Sequence, residues 1–109
     1  MTLPKPKRNK MEIYNDILTA ISHELTNYND YHEYGPAAKP THVQLKSNLA
    51  YDKFARYLNE LQDKKMINRH PLTITERGKD FLQDYQRIAD FVLEMGIKYM
   101  YFSEEEMKQ

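Results

Sequence analysis

The sequence predicts a mainly α-helical fold with one small β-hairpin, and three observations predict it. Apolar residues recur at helical spacing in three stretches: Tyr14, Ile17, Leu18, Ile21 and Leu25; then Phe54, Leu58 and Leu61; then Phe81, Tyr85, Ile88, Val92, Met95, Tyr99 and Phe102. Clusters of Asn, Asp, Gly and Pro separate the first two stretches. The run PLTITERGKDFL, residues 71–82, changes period within a few residues. Leu72, Thr73 and Ile74 read as a short strand, and from Thr75 onward the spacing is helical. With 109 residues, 40% of them apolar and 29% charged, the chain is expected to form one soluble domain around a small core.

The first ten residues, MTLPKPKRNK, are expected to form a flexible basic arm. Pro4 and Pro6 oppose helix there, and no apolar segment follows, as a signal peptide would require. Asn9 is placed to cap a first helix from Met11 to about Leu25. Residues 26–40, TNYNDYHEYGPAAKP, read as a loop, and a loop this long in a small domain points to function or mobility. Tyr28, Tyr31 and Tyr34 recur in it every third residue. They either cover the edge of the core or form a lip for a protein partner.

A second, short helix is expected to start at Thr41, because Thr41 and Gln44 have the spacing of a capping box. It should end near Lys46 or Ser47, and the tight turn SNLA then points Leu49 inward. A third helix, Ala50 to about Lys65, buries Phe54, Leu58 and Leu61, is flanked by Tyr51 and Tyr57, and leaves Asp52, Lys53, Arg56, Asn59 and Glu60 outward. Met66 to Asn68 should pair with Leu72 to Ile74 around Arg69, His70 and Pro71. So short a hairpin is stable only when packed on a helix. Thr75 is placed to cap the last helix, and Gly78 in its first turn allows a close backbone approach.

The apolar positions of that last helix are spaced 4-3-4-3-4-3, a heptad seam, with Leu82, Ala89, Leu93 and Met100 beside it. Gly96 interrupts the seam, and the acidic tail SEEEMKQ is expected to fray. A helix of about 27 residues is about 40 Å long, and a domain this small cannot cover such a stripe alone. The distal half should pack on a second copy or fold back on the first helix. The expectation is a homodimer through Tyr85, Ile88, Val92, Met95, Tyr99 and Phe102. The chain then divides into the arm 1–10, a domain 11–80 and a coiled-coil helix with acidic tail 81–109.

The net charge of zero conceals blocks: residues 1–10, 11–34, 35–79 and 80–109 carry +4, −5, +5 and −4. Cysteine is absent, which excludes disulfides and thiolate zinc sites and fits a reducing cytosol. No apolar run approaches the roughly 20 residues that span a bilayer. His23, His32, His42 and His70 are scattered, the glycines are single, and no nucleophile stands near a base. The expectation is a non-enzyme without metal or cofactor.

The run HVQLKSNLAYDKFARYLNELQDKKMI, followed by LTITERGKDFL, resembles the small archaeal winged-helix DNA-binding proteins, related to archaellum-regulator-like winged-helix domains. Asn48-Leu49 with Tyr51, Tyr57-Leu58, and the series Leu72-Thr73, Thr75-Glu76, Gly78 and Phe81-Leu82 carry the resemblance, which extends over about Met11 to Phe102. It implies a winged helix-turn-helix with the third helix in the major groove, the hairpin as a wing on the DNA backbone, and dimerisation through antiparallel C-terminal helices. By position it implies a DNA face of Lys46, Ser47, Asn48, Tyr51, Lys53 and Arg56. Ala50 replaces a capping Ser common in the family, Asp52 and Ala55 stand at positions often basic or polar, and the 26–40 loop is longer than usual.

Chemistry sharpens that face. Lys53 and Arg56 are three apart and share one side of a helix, and Arg can bond a guanine edge in two places. Lys46 and Ser47, ahead of that helix, suit phosphate. Asn48 either contacts DNA or makes the turn. Asp52 either accepts from a cytosine amine, pairs with Lys53 or Arg56, or is simply favoured at the helix start by the dipole. Arg69, with His70 at the hairpin tip, either meets phosphate or is solvated. Lys5, Lys7, Arg8 and Lys10 either track the DNA or keep the arm soluble. The reading is a dimeric duplex-DNA-binding protein, cytoplasmic and nucleoid-associated, acting as a transcription regulator or chromatin-like protein. The alternative, favoured by net neutrality, Asp52 and the tyrosine-rich loop, is a protein-interaction module that binds no DNA.

Overall fold

A computed structural model describes residues 8–26 and 37–96. Within them the order is α1 (Lys10–Thr26), α2 (Pro40–Ser47), α3 (Tyr51–Asp63), β1 (Ile67–Arg69), β2 (Leu72–Ile74) and α4 (Glu76–Glu94). The mainly helical fold with one antiparallel hairpin is as the sequence predicts. Among the described residues no helix is long and apolar enough to cross a membrane. Tyr28, Tyr31, Tyr34 and the partner lip proposed for them lie outside the described residues, as do Tyr99, Phe102 and the acidic tail.

The first helix, α1, is the spine of the core. Asn9 caps it as expected: its side-chain oxygen accepts from the Glu12 N–H at 2.8 Å, and its carbonyl accepts from Ile13 N–H at 3.0 Å. Ile17, Leu18 and Ile21 are wholly buried, packed with Val43 of α2, Phe54, Leu58 and Leu61 of α3, and Ile67 and Leu72 of the hairpin. Phe81 and Leu82 of α4 close the core from the far side.

The start of α2 departs from the expected capping box. Lys39 is the cap residue, in extended conformation and without a side-chain cap bond, and Pro40 is already helical. Proline lacks an N–H to satisfy and its fixed φ suits the first helical position, so the helix begins before Thr41. The Gln44 amide, freed from capping, donates instead to the Leu49 carbonyl at 3.2 Å.

The end of α3 is also earlier than expected. Lys65 takes a positive φ of 64° and Met66 N–H closes back on Leu61 O at 2.9 Å. That closure occupies Met66, so the first strand starts one residue later than the sequence suggests. The register pairs Ile67 with Ile74, Asn68 with Thr73 and Arg69 with Leu72. Arg69 is therefore in the strand, and the tip narrows to His70 and Pro71. Ala38, expected within a loop, adds an antiparallel bridge to Leu72, its N–H bonding Leu72 O at 3.0 Å.

Thr75 joins the hairpin to α4. Its hydroxyl accepts from Gly78 N–H at 3.1 Å, as the predicted cap, and donates to Lys65 O at 2.7 Å. Its N–H bonds Met66 O at 3.1 Å. The described part of α4 stops at Glu94, and Gly96 breaks the helical run as expected: it adopts φ 75°, and Gly96 N–H and Met95 N–H bond back to Leu93 O and Phe91 O. Glycine takes the left-handed conformation without steric cost, so it sits one residue beyond the cap Met95. The 19 helical residues of α4 span about 28 Å.

Candidate nucleic-acid interface

Three residues, Asn48, Leu49 and Ala50, separate α2 from α3. Asn48 holds the left-handed conformation (φ 55°, ψ 50°) and bonds Leu45 O through its N–H at 3.2 Å. Asn tolerates that conformation better than most residues, which assigns Asn48 to the turn. Leu49 is half-buried against the core, and Ala50 starts α3 in extended conformation, its carbonyl accepting from Phe54 N–H at 2.9 Å. Ser47 does not reach outward as the resemblance implies. It is buried, and its hydroxyl donates to Val43 O at 2.7 Å; a small hydroxyl in the last turn of a helix bonds the carbonyl four residues back.

Arg8 braces this turn. Its Nη1 lies 2.7 Å from Asp16 Oδ2 and 2.8 Å from Ser47 O, and its Nη2 lies 3.0 Å from Asn48 O. A cation bonded to the last carbonyls of α2 also complements the negative end of the helix. Lys10, also expected in the arm, is the first residue of α1 and pairs with Glu60 at 3.3 Å. Residues 8–10 of the expected arm are therefore part of the folded domain.

The surface of α3 opposite Phe54, Leu58 and Leu61 carries the row Asp52, Arg56, Asn59 and Asp63, spaced by 4, 3 and 4. Lys53 lies on the flank shared with Tyr57 and Glu60. Tyr51, at the helix start, is 72% exposed, and Lys53 and Arg56 are exposed. Arg56 lies over the Tyr57 ring, 5.2 Å from its centroid. Among the described residues neither Lys53 nor Arg56 is in a salt bridge. The carboxylate of Glu60 is held by others: it accepts from the Tyr14 hydroxyl and pairs with Lys10. Those bonds, the Tyr14 bond foremost, hold its carboxyl below the usual range against the opposing effect of burial. Burial, followed by the Glu60 bond, pushes the Tyr14 hydroxyl well above its ordinary value.

The remaining predicted residues are placed differently. Lys46 Nζ is 3.4 Å from Glu24 Oε2 and 3.3 Å from His23 Nδ1, so it is drawn toward the end of α1. Glu24 also meets His42 Nδ1 at 2.7 Å. Burial raises the Glu24 carboxyl, and the bonds from His42 and Lys46 outweigh it, leaving the group below its usual range. Arg69 donates to the Asn59 side-chain oxygen and so clips the hairpin to α3. Beside that contact lies a recess of about 750 Å³ whose walls include Gln62, Lys65, Arg69 and Thr73.

A helix, a three-residue turn and a second helix with an exposed polar face, followed by a hairpin clipped alongside, make a recognisable unit. The family profile described as winged helix-turn-helix matches residues 33–92, more than half of the 109. The chain belongs to the winged helix-turn-helix family. No curated protein and no solved structure matches it. In this winged helix-turn-helix protein α3 is the second helix of the motif and β1–β2 the wing. Of the predicted residues, Tyr51, Lys53 and Arg56 are exposed on the motif's second helix, with Tyr51 and Lys53 on opposite flanks, and Arg69 joins the wing to that helix through Asn59; Ser47 turns inward, Asn48 forms the turn and Lys46 is held on Glu24. Sequence reasoning missed the Arg8 brace, because its partners lie 39 and 40 positions away and no local pattern marks them.

Proposed function

We propose that this winged helix-turn-helix protein binds duplex DNA, with α3 entering the major groove and the wing lying along the backbone. The observation that carries the proposal is the exposure of Lys53 and Arg56 on α3, free of salt bridges among the described residues, while the opposite face of α3 fills the core. Arg56 supplies a planar pair of donors for a guanine edge. Lys53, Tyr51 and Arg69 supply donors for phosphates. Lys46 serves phosphate only by leaving Glu24 and His23. Membership of the archaellum-regulator-like branch belongs to this proposal and is supported by the residues quoted for the resemblance. The role is that of a transcription regulator or a chromatin-like protein, which differ in how strongly one site is preferred over random DNA.

The test is the salt dependence of binding to a random duplex. With Lys53 and Arg69 each neutralising a phosphate, log affinity should fall against log salt with a slope of about −1.8. The other reading, a protein-interaction module, is favoured by Asp52 and Asp63 in the outermost row of α3. A flat salt response, or no complex at micromolar protein in low salt, would favour that reading instead.

We also propose that the protein works as a homodimer through α4. The heptad seam does not run as one exposed stripe. Phe81 packs against Tyr14, Tyr85 stacks on Phe81 at 5.9 Å, and Val92 is buried. Burial, with Glu12 and Asp16 nearby, pushes the Tyr85 hydroxyl up to about 12. Ile88, Phe91 and Met95, spaced by 3 and 4, are 51%, 61% and 61% exposed and form the row that supports the dimer. Replacing Ile88 and Phe91 together by Asp should yield monomers with unchanged helix content in analytical ultracentrifugation and circular dichroism. A wild-type chain that sediments as a monomer would remove the dimer.

A further inference from the structure

The hairpin and the end of α3 form a recess of about 750 Å³, within the range of about 300–1,000 Å³ of small-molecule sites. Its walls come from three stretches: Gln62 and Lys65 around the end of α3, Asn68 and Arg69 on β1, and His70 and Thr73 across the tip. Each of these side chains can donate a hydrogen bond. Among the described residues that line the recess there is no Asp or Glu. Asp63 and Glu76, the acids nearest in the chain, are exposed and do not line it, and Glu76 is paired with Lys79.

Two of the cations stand on fixed supports. Lys65 takes a φ of 64°, a conformation that favours glycine. Its N–H bonds Gln62 O at 2.9 Å, the next N–H closes on Leu61 O at 2.9 Å, and its carbonyl accepts from the Thr75 hydroxyl at 2.7 Å. Strained backbone of this kind clusters at ligand-binding positions. Arg69 donates from Nη1 to Asn59, and this bond leaves Nη2 and Nε for other acceptors. Among the described residues Lys65, Arg69 and His70 are in no salt bridge. The negative end of the α3 dipole opposes an anion here. Its last carbonyls, however, are already bonded by the N–H groups of Lys64, Lys65 and Met66.

We infer that this recess binds a small phosphate ester, its phosphate held by Lys65 and Arg69 and its organic part against Ile67 and Pro71. A phosphate presents three acceptor oxygens and a charge of about −1.5 to −2 near neutral pH, which matches a wall of donors and cations without a carboxylate. The inference does not depend on DNA binding, and Arg69 is the one residue it shares with the proposed DNA contacts.

The test follows the backbone amide shifts of the full chain by nuclear magnetic resonance during titration with adenosine 5′-monophosphate, inorganic pyrophosphate and adenosine. The two phosphate probes should give saturable shifts concentrated in residues 62–75, and adenosine should give none. Lys65→Asn removes the charge and keeps a residue that tolerates the left-handed conformation. It should weaken both phosphate probes by about tenfold, the loss of one hydrogen bond to a charged group. Lys79→Ala, outside the recess, should leave their affinities unchanged. Absence of saturation at millimolar concentration, equal shifts from adenosine, or an equal loss in Lys79→Ala would each overturn the inference. Shifts of the same amides by a DNA duplex but by neither phosphate probe would also overturn it, and would assign the recess to the DNA backbone.

Discussion

Gly78→Ala should destabilise the protein by about 3 kcal/mol, the upper end of what overpacking a tight site costs. A Cβ built at position 78 runs into the Met66 carbonyl oxygen and lies 2.7 Å from Ile74 Cγ1. Ile74 is part of the hairpin, and the Met66 carbonyl already accepts from Thr75 N–H, so neither neighbour withdraws without loosening the joint between hairpin and α4. For a domain of this size such a loss lowers the melting temperature by about 10–20 °C. Gly96 gives the comparison. Nothing lies within 4 Å of a Cβ there, and only the positive φ opposes a side chain. Gly96→Ala should cost about 1 kcal/mol. Thermal and urea denaturation of the two variants would measure the difference, and a Gly78→Ala protein that melts with the wild type would mean that the helix start does not sit against Met66.

The second large effect concerns binding. Under the proposed function, Lys53→Ala together with Arg56→Ala should reduce affinity for duplex DNA by about 10- to 100-fold, since one two-point contact to a base edge contributes about 1–3 kcal/mol. The salt slope should also become shallower by about 1, from the loss of the Lys53 phosphate contact. Both side chains are exposed, and the Arg56 contact with Tyr57 is on the surface, so circular dichroism and melting should change little. Unchanged affinity in a folded double variant would mean that α3 does not read the duplex.

Much of the fold is legible in the sequence because its signals are local. The apolar spacing of α1 and α3 follows directly from the turn of a helix, and the Asn9 and Thr75 caps act within three residues. Gly78 is legible for the same reason, standing where a helix starts directly after a strand. Errors arise where two local signals compete. Thr41 and Gln44 have capping-box spacing, but Pro40 ahead of them starts the helix first. Met66 reads as strand, but it is taken up by the turn at the end of α3.

The candidate site is legible only in part, and the division is physical. Lys53, Arg56 and Tyr51 are exposed because helical spacing alone sets them away from Phe54, Leu58 and Leu61. Lys46 and Ser47 have the same kind of sequence signal, yet their surroundings come from tertiary contacts. Glu24 reaches Lys46 across 22 positions, and Ser47 is covered once α2 packs on α1.

The Arg8 brace has a consequence for how the motif acquires its shape. Its bonds join positions 39 and 40 residues apart, so they form only after the chain between them has collapsed. The turn between α2 and α3 is thus completed from outside its own stretch of sequence, by a residue synthesised well before it. Loss of the Arg8 side chain, two residues ahead of α1, would be felt first at the turn that orients α3.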